Sequence, residues 1–311
     1  MRMLTDWTEG HSRRFQRQVL TFRHDLESTG LFSDEALIRL LEKHPSEMLD
    51  VCSMDENPDP RYPNQFLTGD FRDVPGKTLL DAAKAGRVWI NVRKAMNIHR
   101  EYKAVLDQMY GELTQKSGRR AFNAKGGILI SSPISQTPYH FDKTQTLLWH
   151  IRGQKRLYIY PLKKKFISDE DYEAIITNAL LDDLPYDESF DQEAKIIDLE
   201  PGQAACWKLN APHRVDNQSF CVSVTTEYST LNTGIKNANM IANAALRSKF
   251  GMTPSYEKDG ITKRVVKTGL GVALRKMGYV SKDNAPDMVR FKIDPEVKGF
   301  VVPTQPFERN F

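Results

Sequence analysis

The segment Gly126–Leu162, GGILISSPISQTPYHFDKTQTLLWHIRGQKRLYIYPL, constrains this 311-residue chain more than any other. Strand-forming runs, turn signals and metal-binding residue types coincide in it. Ile128-Leu129-Ile130 is a short apolar run suited to a buried strand, and Ser-Pro-Ile-Ser-Gln-Thr-Pro breaks it before Tyr139-His140-Phe141-Asp142. Gln145 to Arg152 reads as the next strand, Gly153-Gln154 as a turn, and Lys155 to Tyr160 as a further strand closed by Pro161. Two β-rich runs around a Gly-x pair predict a tight hairpin with Gly153 at the position that needs a positive φ.

Side-chain alternation turns this pattern into chemistry. Residues two apart in a strand share a face, so His140 and Asp142 point the same way, and Thr146, Leu148, His150 and Arg152 continue that face. Pairing across the turn adds Lys155, Leu157 and Ile159. A histidine, a carboxylate and an ammonium facing one apolar lumen are costly unless something binds there. For His150 two roles follow, a hydrogen-bond partner beside the site or a satisfied core histidine. Downstream, Leu209-Asn210-Ala211-Pro212-His213 sits between the strand-like stretches Gln203–Lys208 and Phe220–Tyr228, which places His213 on a loop or strand end. His140, Asp142 and His213 make a two-histidine, one-carboxylate set, the kind that holds non-haem Fe(II) and leaves coordination positions open. In a chain with seven histidines a His-x-Asp pair alone is weak; the inward Lys155 and the later His213 give it weight.

The string Thr137-Pro-Tyr-His140-Phe-Asp142, Leu147-Leu148, Ile151-Arg-Gly153-Gln-Lys155-Arg156 and Tyr160-Pro161 resembles the core of the JmjC and cupin-like 2-oxoglutarate oxygenases. It is most similar to the branch containing the asparaginyl hydroxylase of the hypoxia-inducible factor, over about residues 126 to 229. The resemblance implies that His140, Asp142 and His213 are the metal ligands and catalytic centre. It also implies that Lys155 and Thr137 bind the far carboxylate of 2-oxoglutarate. Thr146 stands where that hydroxylase has Asn, and is carried as a further cosubstrate contact. Fe(II), 2-oxoglutarate, O2 and an unidentified substrate are the implied partners. The implied fold is mainly β with flanking helices: a double-stranded β-helix (jelly-roll, cupin-like) core with an N-terminal α/β segment and C-terminal helices.

Composition sets the remaining bounds. Apolar content of 40% and charged content of 27% are those of a globular protein, and no apolar run approaches the roughly 18 residues of a membrane helix. The N-terminus lacks the apolar region of a signal peptide, so the cytoplasm is the expected compartment. Cys52, Cys206 and Cys221 suggest neither a disulfide framework nor a C-x-x-C motif and are expected to be small buried strand residues. The formal charge of +4 conceals an asymmetry: twelve acids against one lysine in 169–200, and fourteen Lys and Arg against seven acids in 232–311.

Three regions follow: an N-terminal α/β segment (1–120), the jelly-roll core (121–230) with an acidic, substrate-facing insert (163–195), and a basic C-terminal helical region (231–311). Within the first, 55–76 is rich in turn formers and reads as a loop over the barrel mouth. The C-terminal helices suggest a homodimer by the same resemblance, or a cover for the barrel's outer face. The absence of a named DNA-binding motif argues against nucleic acid as a partner. Two alternatives to an oxygenase remain open: a cupin that binds a metal or small ligand without turnover, and a regulatory partner-binding protein.

Overall fold

The computed structural model describes residues 2–55, 58–63, 65–179, 184–280 and 287–311. Four strands come first: β1 (Leu20–Arg23), β2 (Leu49–Met54), β3 (Phe66–Asp70) and β4 (Val88–Val92). The next group is β5 (Phe122–Ser131), β6 (Gln136–His140), β7 (Gln145–Arg152), β8 (Lys155–Ile159), β9 (Lys195–Leu199), β10 (Gln203–Cys206), β11 (His213–Asn217) and β12 (Cys221–Ser229). After two helices, β13 (Met288–Ile293) and β14 (Val301–Glu308) complete the described strands.

The group β5 to β12 is a jelly roll. Its strands are shared between a large sheet in the order β1-β10-β7-β12-β5-β4-β2-β3-β13-β14 and a small one in the order β6-β11-β8-β9. Both sheets face a common lumen, where Leu148, Leu157, Ile159, Leu199, Ala205, Trp207 and Val215 form one cluster. The opposite face of β7 buries Leu147, Trp149 and Ile151 in a second cluster with Tyr102, Leu106 and Met109 of the helix Arg100–Ser117. Burial on both faces explains why β7 reads as a nearly continuous apolar run rather than an alternating one.

The expected hairpin at Gly153 does not form. β7 pairs with β10 and β12, whereas β8 pairs with β11 and β9, so the chain arches from one sheet to the other. Gly153 does have φ +89°, and a Cβ there would lie 2.1 Å from the Phe220 carbonyl oxygen. The inward assignment of Lys155, Leu157 and Ile159 holds because facing sheets present their alternate residues to the same lumen.

Two further expectations are corrected. The stretch 55–76 is not all loop: Phe66–Asp70 is a strand lying between β2 and β13. The region 231–311 is not all helical, since β13 and β14 extend the large sheet. In the insert after Pro161, Phe166, Tyr172, Ile175 and Ile176 pack with Tyr139, Tyr158 and Tyr160 on the outer face of the small sheet, and Met240 and Ile241 of the helix Leu231–Phe250 join them. Its residues 180–183, with Asp182 and Asp183 of the acidic run, lie outside the described residues. The three cysteines are free and buried, and among the described residues no helix is long and apolar enough to cross a membrane.

Candidate metal and dicarboxylate site

The lumen's open end is built by a strand register. His213 opens β11 directly opposite His140, the last residue of β6, and two steps on Val215 faces Thr137. One residue of β11, Arg214, therefore opposes two of β6, Pro138 and Tyr139, and this bulge resets the alternation. Thr137 and His140, an odd number of positions apart, thus share the lumen face. Asp142 follows in the β6–β7 loop, and ligand atoms of His140, Asp142 and His213 all lie within 4.8 Å of one another.

The imidazoles are prepared as lone-pair donors. His140 Nδ1 lies 2.7 Å from the Pro138 carbonyl and His213 Nδ1 lies 3.1 Å from that of Ala211. A carbonyl only accepts, so each Nδ1 carries the proton and each Nε2 presents its lone pair. The Nε2 atoms face Asp142, 3.8 Å from Oδ1 for His140 and 3.5 Å from Oδ2 for His213. Burial, and then the neighbouring His140, push the His213 pKa well below its ordinary value, which keeps its ring neutral. Trp207 lies against that ring at 4.5 Å between centroids. These three donors fit a divalent metal of the Fe(II) kind.

Two loops are tied together behind the donors. Asn210, buried and at φ +63°, donates from its amide to the Asp142 carbonyl at 2.8 Å and accepts from the Tyr172 hydroxyl. Sequence reasoning passed over Asn210; an Asn just before Ala-Pro-His, tolerant of the left-handed conformation, was the available signal. From the C-terminal side Asn237 donates to the Lys143 carbonyl at 2.8 Å. A cavity of about 1050 Å³ opens beside Asp142 between this loop and the helix Leu231–Phe250. Arg214, next to His213, bonds Asp191 of the insert and Asp216, and stacks 3.5 Å over Tyr158. The insert thus steadies the strand that carries His213.

Deeper in the lumen lies Lys155, only 2% exposed. No carboxylate pairs with it among the described residues, and burial lowers its pKa from the ordinary lysine value. It is registered against Asn217, whereas Ile159 is registered against His213. Those four strand steps are roughly 13 Å. A lysine side chain bridges about half of that, which leaves a span suited to a five-carbon dicarboxylate. Thr146, on the same face, buries an Oγ1 with no hydrogen-bond partner. An unpaired ammonium and an orphaned hydroxyl in one lumen fit a carboxylate ligand. His150 belongs to the core: Nε2 donates to the Gly153 carbonyl at 2.9 Å and Nδ1 accepts from the Ser223 hydroxyl at 3.0 Å.

No family model matches the chain, and no curated protein matches it. Solved structures do share its fold. A crystal structure of the Escherichia coli ribosomal oxygenase YcfD superposes with a TM-score of 0.51 at 14% identity, covering 93% of this chain and 75% of that one. A second structure of YcfD gives 0.50 at 15% identity, covering 92% and 69%. The likeness establishes the double-stranded β-helix with its flanking elements. These neighbours are ribosomal oxygenases; similarity to the asparaginyl-hydroxylase branch is carried by the motif alone.

Proposed function

We propose that this chain is an Fe(II)- and 2-oxoglutarate-dependent dioxygenase that hydroxylates a protein side chain or a small molecule. The observation that carries this reading is the pairing of two things in one lumen: three converging donors at its mouth and a buried lysine without a counter-charge below them. His140, Asp142 and His213 would hold the metal; Lys155, with Thr137 and Thr146, would hold the far carboxylate of 2-oxoglutarate. Bound together, Fe(II) and 2-oxoglutarate would supply the redox chemistry that couples decarboxylation of the keto acid to insertion of an oxygen atom into a C–H bond.

The chain's own residues orient and exclude. The carbonyls of Pro138 and Ala211 fix the two imidazole tautomers, Asn210 holds the Asp142 loop, and Leu148, Leu157, Ile159 and Val215 keep water from the lumen. Lys155 gains its missing counter-charge only when a dicarboxylate enters, so the site favours that class of keto acid over a monocarboxylate. A homodimer through the C-terminal helices is part of the same proposal, and the exposed Ile261, Val265 and Val266 on the helix Ile261–Lys276 supply an apolar surface for it.

The test is decarboxylation of 2-oxoglutarate by the purified chain with Fe(II), read as succinate. Succinate formation that disappears in His140→Ala is the expected result. A chain that binds Mn(II) through the same residues yet forms no succinate would be a metal-binding cupin instead.

A further inference from the structure

A second cavity, of about 590 Å³, lies beside the metal end and carries an unusual charge. Six Lys and Arg side chains line it (Arg17, Arg119, Lys163, Lys164, Lys208 and Lys236) against two acids, Asp169 and Glu257. Some of these cations are engaged: Lys164 with Asp169, Lys163 with Glu193 and Arg119 with the Gln16 side-chain Oε1. Arg17, Lys208 and Lys236 have no carboxylate within ion-pair distance among the described residues. They come from three separate parts of the chain, the segment before β1, the β10–β11 loop and the helix Leu231–Phe250.

Lys236 is the informative member. Its ammonium sits 5.0 Å over the Tyr172 ring, and burial lowers its pKa to about 8. A half-buried ammonium that lies over an aromatic face, with Glu257 across the cavity acting on it only beyond ion-pair distance, still favours an anion at the cavity's centre. Three cations without an ion-paired carboxylate, the half-buried Lys236 and the exposed Arg17 and Lys208, are more than one carboxylate requires and suit the multiple oxygens of a phosphate. The volume is that of a small-molecule pocket rather than a nucleic-acid groove.

The cavity is also joined to the metal site. Leu209 lines it immediately before Asn210, and Tyr172, another lining residue, donates to the Asn210 side-chain Oδ1 while the Asn210 Nδ2 holds the Asp142 backbone carbonyl. We infer that this cavity is an anion subsite that binds a phosphate group of a small organic molecule, with Lys236, Lys208 and Arg17 as its cations. Resting on the oxygenase reading, the inference further makes that molecule the substrate, anchored by its phosphate so that its remainder lies by the Asp142 loop.

Titration calorimetry of inorganic pyrophosphate into the full chain, with neither metal nor 2-oxoglutarate, tests the subsite by itself. One saturable site is expected, weakened about tenfold or more in Lys236→Met and in the exposed variant Lys208→Met. Lys236→Arg should stay within about threefold of wild type, because charge is kept, and Lys292→Met, an exposed side chain on β13, should match wild type. Absence of saturable binding would overturn the subsite, as would wild-type affinity in both Met variants. Binding confined to long single-stranded RNA, with steep salt dependence, would overturn it too. Mn(II) and 2-oxoglutarate titrations of the same proteins separate the two proposals. Pyrophosphate binding that depends on Lys236 in a chain that ignores 2-oxoglutarate would sink the oxygenase and leave the subsite standing.

Discussion

Two pairs of histidines occupy the two ends of this barrel, and their hydrogen bonds differ in kind. At the closed end both nitrogens of each ring are used. His150 donates to the Gly153 carbonyl and accepts from Ser223, and His24 donates to the His150 carbonyl at 3.0 Å while accepting from the Leu26 amide at 3.2 Å. At the open end His140 and His213 each spend Nδ1 on a carbonyl and leave Nε2 facing Asp142. All four are at least largely buried, so exposure does not separate a scaffold histidine from a metal ligand. What separates them is a nitrogen left over after the protein's own bonds are counted.

The sharpest way to break this comparison is to remove one ring from each end. His213→Ala should weaken Mn(II) binding by roughly 100-fold or more while costing the metal-free chain less stability than His150→Ala, because among the described residues only one of its ring nitrogens has a hydrogen-bond acceptor. His150→Ala should do the reverse, lowering stability by about 2–4 kcal/mol in urea unfolding through a lost buried network. Metal affinity that falls equally in both would erase the distinction.

Acid titration gives the next largest effect. His24 and His150 each have a pKa pushed down to about 4 from 6.5, chiefly by burial. The unfolded chain therefore binds more protons than the folded one between about 4 and 6.5, so stability rises with pH across that window. On acidification the loss begins as pH falls through 6.5 and is complete near 4, at up to roughly 3 kcal/mol per ring. His24→Gln should flatten the pH dependence of stability by about one proton over this range. An unchanged slope would mean that His24 does not stay neutral in the fold. The smallest effect belongs to Asn210→Ala, which removes the tie between Asp142 and Tyr172. It should weaken Mn(II) by about tenfold with the fold retained, and metal binding equal to wild type would assign Asn210 to the loop alone.

The same comparison shows how much of the molecule was legible in its sequence. Alternation from His140 through Lys155 to Ile159 put Leu148, Lys155, Leu157 and Ile159 into one lumen although the turn at Gly153 was misread, because an arch and a hairpin both demand a positive φ there; Arg152, expected on the same face, instead reaches Asp34 and the Phe32 carbonyl, since the register shifts between Val222 and Ser223. Which sheet a strand joins depends on partners such as Asn217 and Leu199, distant in sequence, and local pattern carries no information about them. Thr137 needed a bulge, visible only once β11 is laid beside β6. The packing of the insert was not legible because its aromatic residues meet tyrosines on the outer face of β6 and β8, and a charge count says nothing about that face. β13 and β14 were missed because basic composition suggested helix while their register is set by β3.

Lys155 bears most directly on the central claim, since a metal-binding barrel that does not take 2-oxoglutarate has no need of a buried ammonium facing its metal site. The measurement is titration of 2-oxoglutarate in the presence of Mn(II), for wild type and Lys155→Met. Loss of the ammonium should leave Mn(II) binding at His140, Asp142 and His213 intact, and should weaken 2-oxoglutarate by roughly 100-fold or more, the cost of removing one partner of a buried charge pair. Lys155→Arg should recover little of it, since a planar fork does not replace a point charge in a fitted pocket. Equal affinity for 2-oxoglutarate in wild type and Lys155→Met would contradict the assignment and take the oxygenase reading with it.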